Sequence, residues 1–402
     1  MHRTYLAFLL VFTVFTTARS QSGPTDDVVV LVSFDGFRHD YLDRGVTPNF
    51  TRLAKAGVRA DALIPIFPSK TFPNHYSIVT GMYGEHHGIV GNEFFDPVWG
   101  DFKSADHSDP NVGRWFGGEP IWVTAERQGV RSASYFWVGS DTKINGALPS
   151  LWKKYDEHVL FNARVDTALA WLSLPERERP RLVLLYFELM DNAGHDFGPD
   201  SPQVDSALAK ADSILGRLMD GIERANRTTL IVVSDHGMSE VSPERRVPID
   251  SLADLTGVRV VATGPYSTLY FQSDTIRRND VAAKLKALPH SRVYKRDEIP
   301  ARYHWHDNAR IPDVLIVADE GWMVGPRRMM ERVRHGGQHG YDPEVKVMQG
   351  IFVAAGPRIR AGQRIPAFEN VHIHPFIAQL LGIAPAPHID GDAAVLAPLL
   401  KW

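Results

Sequence analysis

Five short runs built almost entirely of apolar and β-branched residues constrain this chain most: DVVVLVSF at 27–34, RLVLLYFE at 181–188, TTLIVVS at 228–234, DVLIVAD at 313–319 and GIFVAA at 350–355. None alternates apolar with polar residues, so each has the pattern of a strand covered on both faces. Helical periodicities separate them. One has Thr47 as cap and Pro48 in the first turn, carries Phe50, Leu53 and Ala54 on one face and stops at Gly57. A longer one over about 203–225 repeats Val204, Leu208, Ala211, Leu215, Leu218 and Ile222 at three- and four-residue steps. Buried strands alternating with core-facing helices predict an α/β fold: a mostly parallel, doubly wound sheet flanked by helices. Residues 240–335 are richer in Arg, Pro and mixed patterns, and read as an insertion within a single domain spanning 24–402.

Asp35, Asp191 and the pair Asp235/His236 fall at or just beyond the carboxyl ends of predicted strands, the edge of an open α/β sheet where ligands bind. Asp35 taken alone is as good a turn residue before Gly36. Asp235 and His236 can reach one ion from a single turn, and Asp191 and His195, four apart in a Gly-containing loop, can face one cation. His339 lies between glycines in HGGQHGYD, where a flexible backbone can bring its imidazole inward; His335, four residues earlier, competes with it, and the residues alone leave that choice open.

Thr71 sits in FPSKTFPNHYSIVTG, where Pro73 suits the first turn of a helix running to about Thr80 and Gly81 suits its stop. A helix start presents unpaired N–H groups and the positive end of the dipole, which favour a deprotonated hydroxyl and a phosphate. Without metals Thr71 is simply a cap. With two divalent ions beside it, the same geometry makes it the nucleophile of a phosphoryl-transfer centre.

Composition narrows the setting. Charged residues make up 23% and the net charge is −3, which argues against a surface built for nucleic-acid backbones. A basic start at His2 and Arg3, an apolar run from Leu6 to Phe15 and small residues to Ser20 form the pattern of a cleaved export signal over residues 1–20. The run falls short of the ~20 residues that span a bilayer. With no cysteine, stability must come from the core and from metals, which suits a periplasmic or secreted location without a disulfide framework.

VSFDGFRHDY, FPSKTFPNHYSIVTGMYGEHHGIVGN, LYFELMDNAGHDFGP, VVSDHGM and GGQHGYD occur in this order, and the chain resembles the nucleotide pyrophosphatase/phosphodiesterase family of the alkaline phosphatase superfamily over roughly residues 27 to 390. The resemblance implies an alkaline-phosphatase-like fold and two zinc ions per chain. Asp191, His195 and His339 would hold one; Asp35, Thr71, Asp235 and His236 would hold the other. It thereby selects His339 over His335. It implies that Asn92 donates to a non-bridging phosphate oxygen and that Phe72, Tyr186 and Tyr155 stack the base, with Trp152 as the competitor of Tyr155. The implied reaction cleaves a nucleotide phosphodiester or pyrophosphate through a covalent threonine intermediate and releases a nucleoside 5′-monophosphate. The expected partner is a small nucleotide, with no duplex nucleic acid and no membrane span in the mature chain; the oligomeric state is left open. Manganese or iron could occupy the same donors.

Three rivals follow from the same residues. A choline phospholipid phosphodiesterase of the same family would use the aromatics as a cage. A monoesterase or sulfatase would need a cation where this chain has Asn92, and a non-catalytic metal-dependent binding protein would have no use for an intact Thr71. The cysteine-rich modules and nuclease-like tail of larger animal relatives do not occur in this sequence.

Overall fold

The computed structural model describes residues 26–106, 109, 112–222, 227–271 and 274–401; the expected leader over residues 1–20 lies outside them. Eight strands form the principal sheet: β1 Val28–Phe34, β2 Val58–Ala60, β3 Ser132–Tyr135, β4 Leu151–Lys153, β5 Leu182–Phe187, β6 Thr228–Val233, β7 Phe352–Ala355 and β8 Gln363–Ile365. Their order is β8-β2-β7-β6-β1-β5-β3-β4. Only β7 runs against the others, pairing antiparallel with both β6 and β2. The sheet is therefore mostly parallel, as the unbroken apolar runs predict.

All seven residues of β1 are buried. Val29 and Leu31 enter the apolar cluster on one face of the sheet, and Val28, Val30, Val32 and Phe34 enter the cluster on the other. At about 1.5–3 kcal/mol for each fully buried large aliphatic or aromatic side chain, this strand anchors both halves of the core. Helices α1 Pro48–Ala56, α3 Phe161–Leu172 and α5 Pro202–Ile222 contribute to one cluster, and α2 Thr71–Thr80 and α6 Ile373–Leu381 to the other. Among the described residues no helix is long and apolar enough to cross a membrane.

Three local expectations need correction. Thr47 makes no side-chain cap bond to α1; Asp212 of α5 accepts from the N–H groups of Asn49 (2.7 Å) and Phe50 (3.1 Å), so the cap comes from a neighbouring helix. The run at 313–319 is not in the principal sheet. Its strand Val314–Ala318 lies inside a second, antiparallel sheet with Tyr266–Tyr270, Ser291–Lys295 and Arg259–Val260, all from the 240–335 segment. It too is buried throughout, which is why apolarity alone could not tell the two sheets apart. The second sheet has its own apolar cluster, which includes Leu269, Val281, Leu285 and Ile316. The third correction concerns Asp191 and His195, which stand on a helix, α4 Leu189–Phe197, and not in a loop.

Candidate metal centre and active site

The three central neighbours β6, β1 and β5 end at one place. Asp35 follows β1, Asp235 and His236 lie just beyond β6, and α4, carrying Asp191 and His195, begins two residues after β5. Gly36 makes the approach possible. Its φ is +69°, and a Cβ there would stand 2.9 Å from Cα of Asp191, so only glycine lets the turn after β1 lie against α4. Gly336 and Gly337 do the same from the other side. Cβ atoms there would meet the carbonyl oxygens of His195 at 2.1 Å and Gly194 at 2.5 Å. The short strand Gly336–Gln338, paired with Ser239–Val241, thus lies directly on α4 and delivers His339. The glycines around His339 work by close packing, where flexibility was expected.

Ligand atoms of Asp191, His195 and His339 lie within 4.8 Å of one another, as do those of Asp35, Asp191 and His236. Nε2 of His236 is 3.0 Å from Oδ2 of Asp235, 3.3 Å from Oδ1 of Asp35 and 3.3 Å from Oγ1 of Thr71. The structure therefore brings together all seven residues expected at the centre. His335 is exposed and outside these groups.

The three imidazoles share one arrangement. Nδ1 of His195 faces the Gly337 carbonyl at 2.9 Å, that of His236 the Gly237 carbonyl at 2.8 Å and that of His339 the Ser69 carbonyl at 2.9 Å. A carbonyl only accepts, so each Nδ1 carries the proton and each Nε2 turns a lone pair inward. Facing those lone pairs are Oδ1 of Asp35, Oδ1 of Asp191 and Oδ2 of Asp235, all buried and without a hydrogen-bond partner. Burial, reinforced by the charges of Asp235 and Asp191, raises the pKa of Asp35 well above the usual carboxylate range, and burial raises Asp235 likewise. Burial also pushes His236 and His339 far down, which keeps them neutral. Buried carboxylate oxygens opposed to imidazole lone pairs are a donor set completed by cations, and the oxygen–nitrogen mixture without thiolate fits zinc.

His75 was not anticipated. It is fully buried and lies within ligand distance of Asp35 and Asp235, but both of its nitrogens are committed. Nδ1 meets the Thr71 carbonyl at 3.0 Å and Oδ2 of Asp235 at 3.3 Å, while Nε2 faces Oγ of Ser33 at 2.8 Å. The ring is tied to the Thr71 backbone and to Ser33, and with both nitrogens engaged it is no ligand itself. Its place four residues after Thr71, one helical turn along α2, was the signal in the sequence. Lys70 was missed as well. It is half-buried beside the centre, and desolvation lowers its pKa to about 8.

α2 starts at Thr71 and ends where Gly81 takes φ +67°. The Phe72 N–H donates to Oδ1 of Asn92 at 2.9 Å, which leaves the Asn92 NH2 as a donor beside the helix start. A cleft of about 610 Å³ opens from Thr71 and is walled by Phe72, Phe136, Trp137, Trp152, Tyr155 and Tyr186. Phe72 and Tyr155 are half-buried and Trp152 is 39% exposed. Tyr186 is 8% exposed, and its hydroxyl donates to Oδ2 of Asp35 at 2.6 Å, so it braces the centre while showing the cleft only part of its ring. Phe136, at φ +73°, presses its ring against Tyr155 at 5.2 Å between centroids.

Comparisons with known proteins find relatives along most of the chain. The family model for type I phosphodiesterase/nucleotide pyrophosphatase matches residues 29–342. The chain is 37% identical over 400 residues to a venom phosphodiesterase of Macrovipera lebetinus, covering 96% of this chain and 46% of that protein. It is 37% identical to an uncharacterised pyrophosphatase/phosphodiesterase of Schizosaccharomyces pombe, covering 90% and 78%. The chain thus spans about half the length of the venom relative and most of the yeast one. The solved structure of human ectonucleotide pyrophosphatase/phosphodiesterase 5 superposes with a TM-score of 0.88 at 35% identity, over 93% of this chain and 100% of that one. The murine protein, in an inactive threonine-to-alanine variant in complex with AMP, gives 0.87 at 34%, again over 93% and 100%. By family model, sequence and fold, this chain belongs to the type I phosphodiesterase/nucleotide pyrophosphatase family.

Proposed function

We propose that this chain is a two-zinc hydrolase that cleaves nucleotide phosphodiester or pyrophosphate bonds and releases a nucleoside 5′-monophosphate. One observation carries the reading: the hydroxyl of Thr71, at a helix start, opens on one side to six inward-turned donor groups and on the other to an aromatic cleft. When bound, zinc ions held by Asp191, His195 and His339, and by Asp35, Asp235 and His236 with Thr71, would supply positive charge against the phosphoryl oxygens and lower the barrier to deprotonating the threonine.

Thr71 Oγ1 forms a bond to phosphorus as the bond to the leaving oxygen breaks, and the proton lost by Thr71 balances the one gained by the leaving group. Water then cleaves the threonine ester. The Asn92 NH2 holds a non-bridging oxygen with a neutral donor, matched to a diester's single negative charge. Phe72 and Tyr155 hold the base across the cleft, with Tyr186 contributing its ring edge and fixing Asp35. An export leader at residues 1–20, delivery to a periplasmic or extracellular space and a single catalytic domain over 24–402 complete the proposal.

A hydrolysis panel of dinucleotides, nucleoside triphosphates, nucleotide sugars, lysophosphatidylcholine and phosphate monoesters tests it. Nucleotide diesters and anhydrides should lead. Faster cleavage of lysophosphatidylcholine than of every nucleotide would replace the reading with the choline-lipid one.

A further inference from the structure

Asn92, read above as the neutral donor to a non-bridging phosphate oxygen, stands at the base of a hairpin formed by Glu93–Asp96 and Gly100–Lys103. Its carbonyl accepts from the Ser104 N–H at 2.8 Å, which closes the hairpin, and its Oδ1 accepts from the Phe72 N–H. The aim of its NH2 therefore depends on what fixes the hairpin. The inserted segment does this. A Cβ on Gly91, the residue before Asn92, would stand 2.9 Å from the hydroxyl of Tyr266 in the second sheet. Farther along, Arg259 donates to Oδ1 of Asp101 at 2.8 Å.

Arg310 gathers these supports at one point. It is 8% exposed, and its Nε donates to Oδ2 of Asp96 at 2.8 Å while its Nη1 donates to the carbonyls of Gly88 and Trp115, both at 2.7 Å. Oδ1 of Asp96 accepts from the N–H groups of Val98 at 2.8 Å and Trp99 at 3.0 Å, so the carboxylate that faces the guanidinium also shapes the hairpin turn. Gly88 has φ +82°, and a Cβ there would stand 2.7 Å from Nη1 of Arg310, so glycine admits the guanidinium to the loop. Gly88 lies four residues before Asn92 and Asp96 four residues after it. One planar group thus pins the chain on both sides of the donor.

We infer that Arg310 is a positioning residue for phosphoryl transfer, setting through the hairpin where the Asn92 NH2 stands beside Thr71. The inference rests on the role given to Asn92 in the proposed reaction and assigns the inserted segment a part in that reaction. Two arguments favour positioning over stability alone. A buried ion pair adds little stability over an apolar pair of the same volume, and its better-attested use is to fix one arrangement. The pair is also coupled to the rim: the guanidinium lies 5.2 Å from the ring centre of Phe94, Phe94 stacks on Phe102 at 4.6 Å, and Phe102 walls the cleft.

Steady-state kinetics on zinc-loaded Arg310→Lys, Asn92→Ala and the double variant test this, with an aryl nucleotide ester and a methyl aryl diester as substrates. Lysine keeps a charge for Asp96 but lacks the planar fork that reaches three acceptors. Arg310→Lys should lower kcat about tenfold with KM changed less than about twofold, and by the same factor on both substrates, because Asn92 touches the phosphate they share. In the Asn92→Ala background the same substitution should cost less than about twofold more, the non-additivity of residues that act through one another. Asp96→Asn keeps an oxygen for the Val98 and Trp99 N–H groups and should repeat the pattern independently. All variants are compared at equal bound zinc and well below their melting temperatures.

Losses that multiply in the double variant, or a lower melting temperature with kcat unchanged, overturn the inference and leave Arg310 a contact of the fold. A loss confined to the nucleotide ester overturns it too, by moving the effect to the base wall. If Asn92→Ala leaves kcat unchanged on both substrates, the donor role of Asn92 falls and the inference with it. Coupling on the methyl aryl diester, without any preference for the nucleotide ester, removes the nucleotide reading and supports the inference.

Discussion

The metal centre and the aromatic cleft meet at Thr71 and are built in opposite ways. In the centre, Asp35, Asp235, His236 and His339 are each 3% exposed or less, and every imidazole is fixed by a main-chain carbonyl. In the cleft, Trp152 is 39% exposed, and most of the walls come from the hairpin at 93–103 with the residues that follow it, the segment after β3, and β4 with the residues after it. A buried donor set that is wrong by one group leaves an unpaired charge, whereas an aromatic wall can exchange one ring for another at modest cost. The comparison teaches that the chemistry is specified by the sheet and the specificity by its rim.

The sharpest way to break that division is at their junction. Thr71→Ala should keep most of the bound metal, because six other donors remain, yet lose hydrolysis by about three orders of magnitude or more, as removal of a covalent nucleophile does. Elemental analysis beside a turnover assay checks both halves, and substantial residual turnover would point to direct attack by water.

Next in size is the choice between the two histidines. His339→Ala should weaken zinc retention by at least the 10–100-fold that follows loss of an outer-shell partner, and His335→Ala should barely change it. Competition with a chromophoric chelator measures this, and equal effects would remove His339 from the centre.

On the rim, Phe72→Ala should cost ~1–3 kcal/mol in kcat/KM for an aryl nucleotide ester, by analogy with base-stacking platforms, and much less for a methyl aryl diester. An equal loss on both substrates would make Phe72 part of the chemistry.

The smallest effect is on stability. The folded pKa of Asp235 is raised, so as pH climbs past the unfolded value of 3.8 the unfolded state loses its proton first and folding stability is lost. Metal-free Asp235→Asn should therefore melt higher than metal-free wild type at pH 7.5, by about 1 °C for each kcal/mol relieved in a chain of 402 residues, with the gap closing toward pH 4. Added zinc should reverse the order at pH 7.5. A metal-free variant that melts lower than wild type would mean that the carboxylate is paired in some other way.

Much of this was legible in the sequence because strand ends and metal donors leave local marks. The runs at 27–34 and 228–234 give their strands and, at the next residues, Asp35, Asp235 and His236. Thr71, Pro73 and Gly81 give both ends of α2. What stayed hidden was decided by partners distant in the chain. Val314–Ala318 is as apolar as β6, and only pairing reveals which sheet owns it. Asp212 caps a helix more than 150 residues away. DNAGH reads as a loop because it contains Gly194, yet that glycine is helical, and a Cβ on it would meet the Met238 side chain at 3.0 Å. Tyr186 has an aromatic side chain that suggests stacking, while its hydroxyl is fixed by Asp35 across the sheet.

The carbonyl-locked imidazoles carry a kinetic consequence. His195 is tied to Gly337, and His339 to Ser69, so the same two bonds lace together α4, the Gly336–Gln338 strand and the segment leading into Thr71. An ion held here would not be freed by swinging one imidazole aside, since each ring is held from behind by main chain. Its release would call for a small cooperative opening of these three segments, the kind of excursion that amide hydrogen exchange detects. Metal exchange and deuterium uptake in these segments would then share one slow clock, which links how long the centre stays loaded to how rarely the fold breathes.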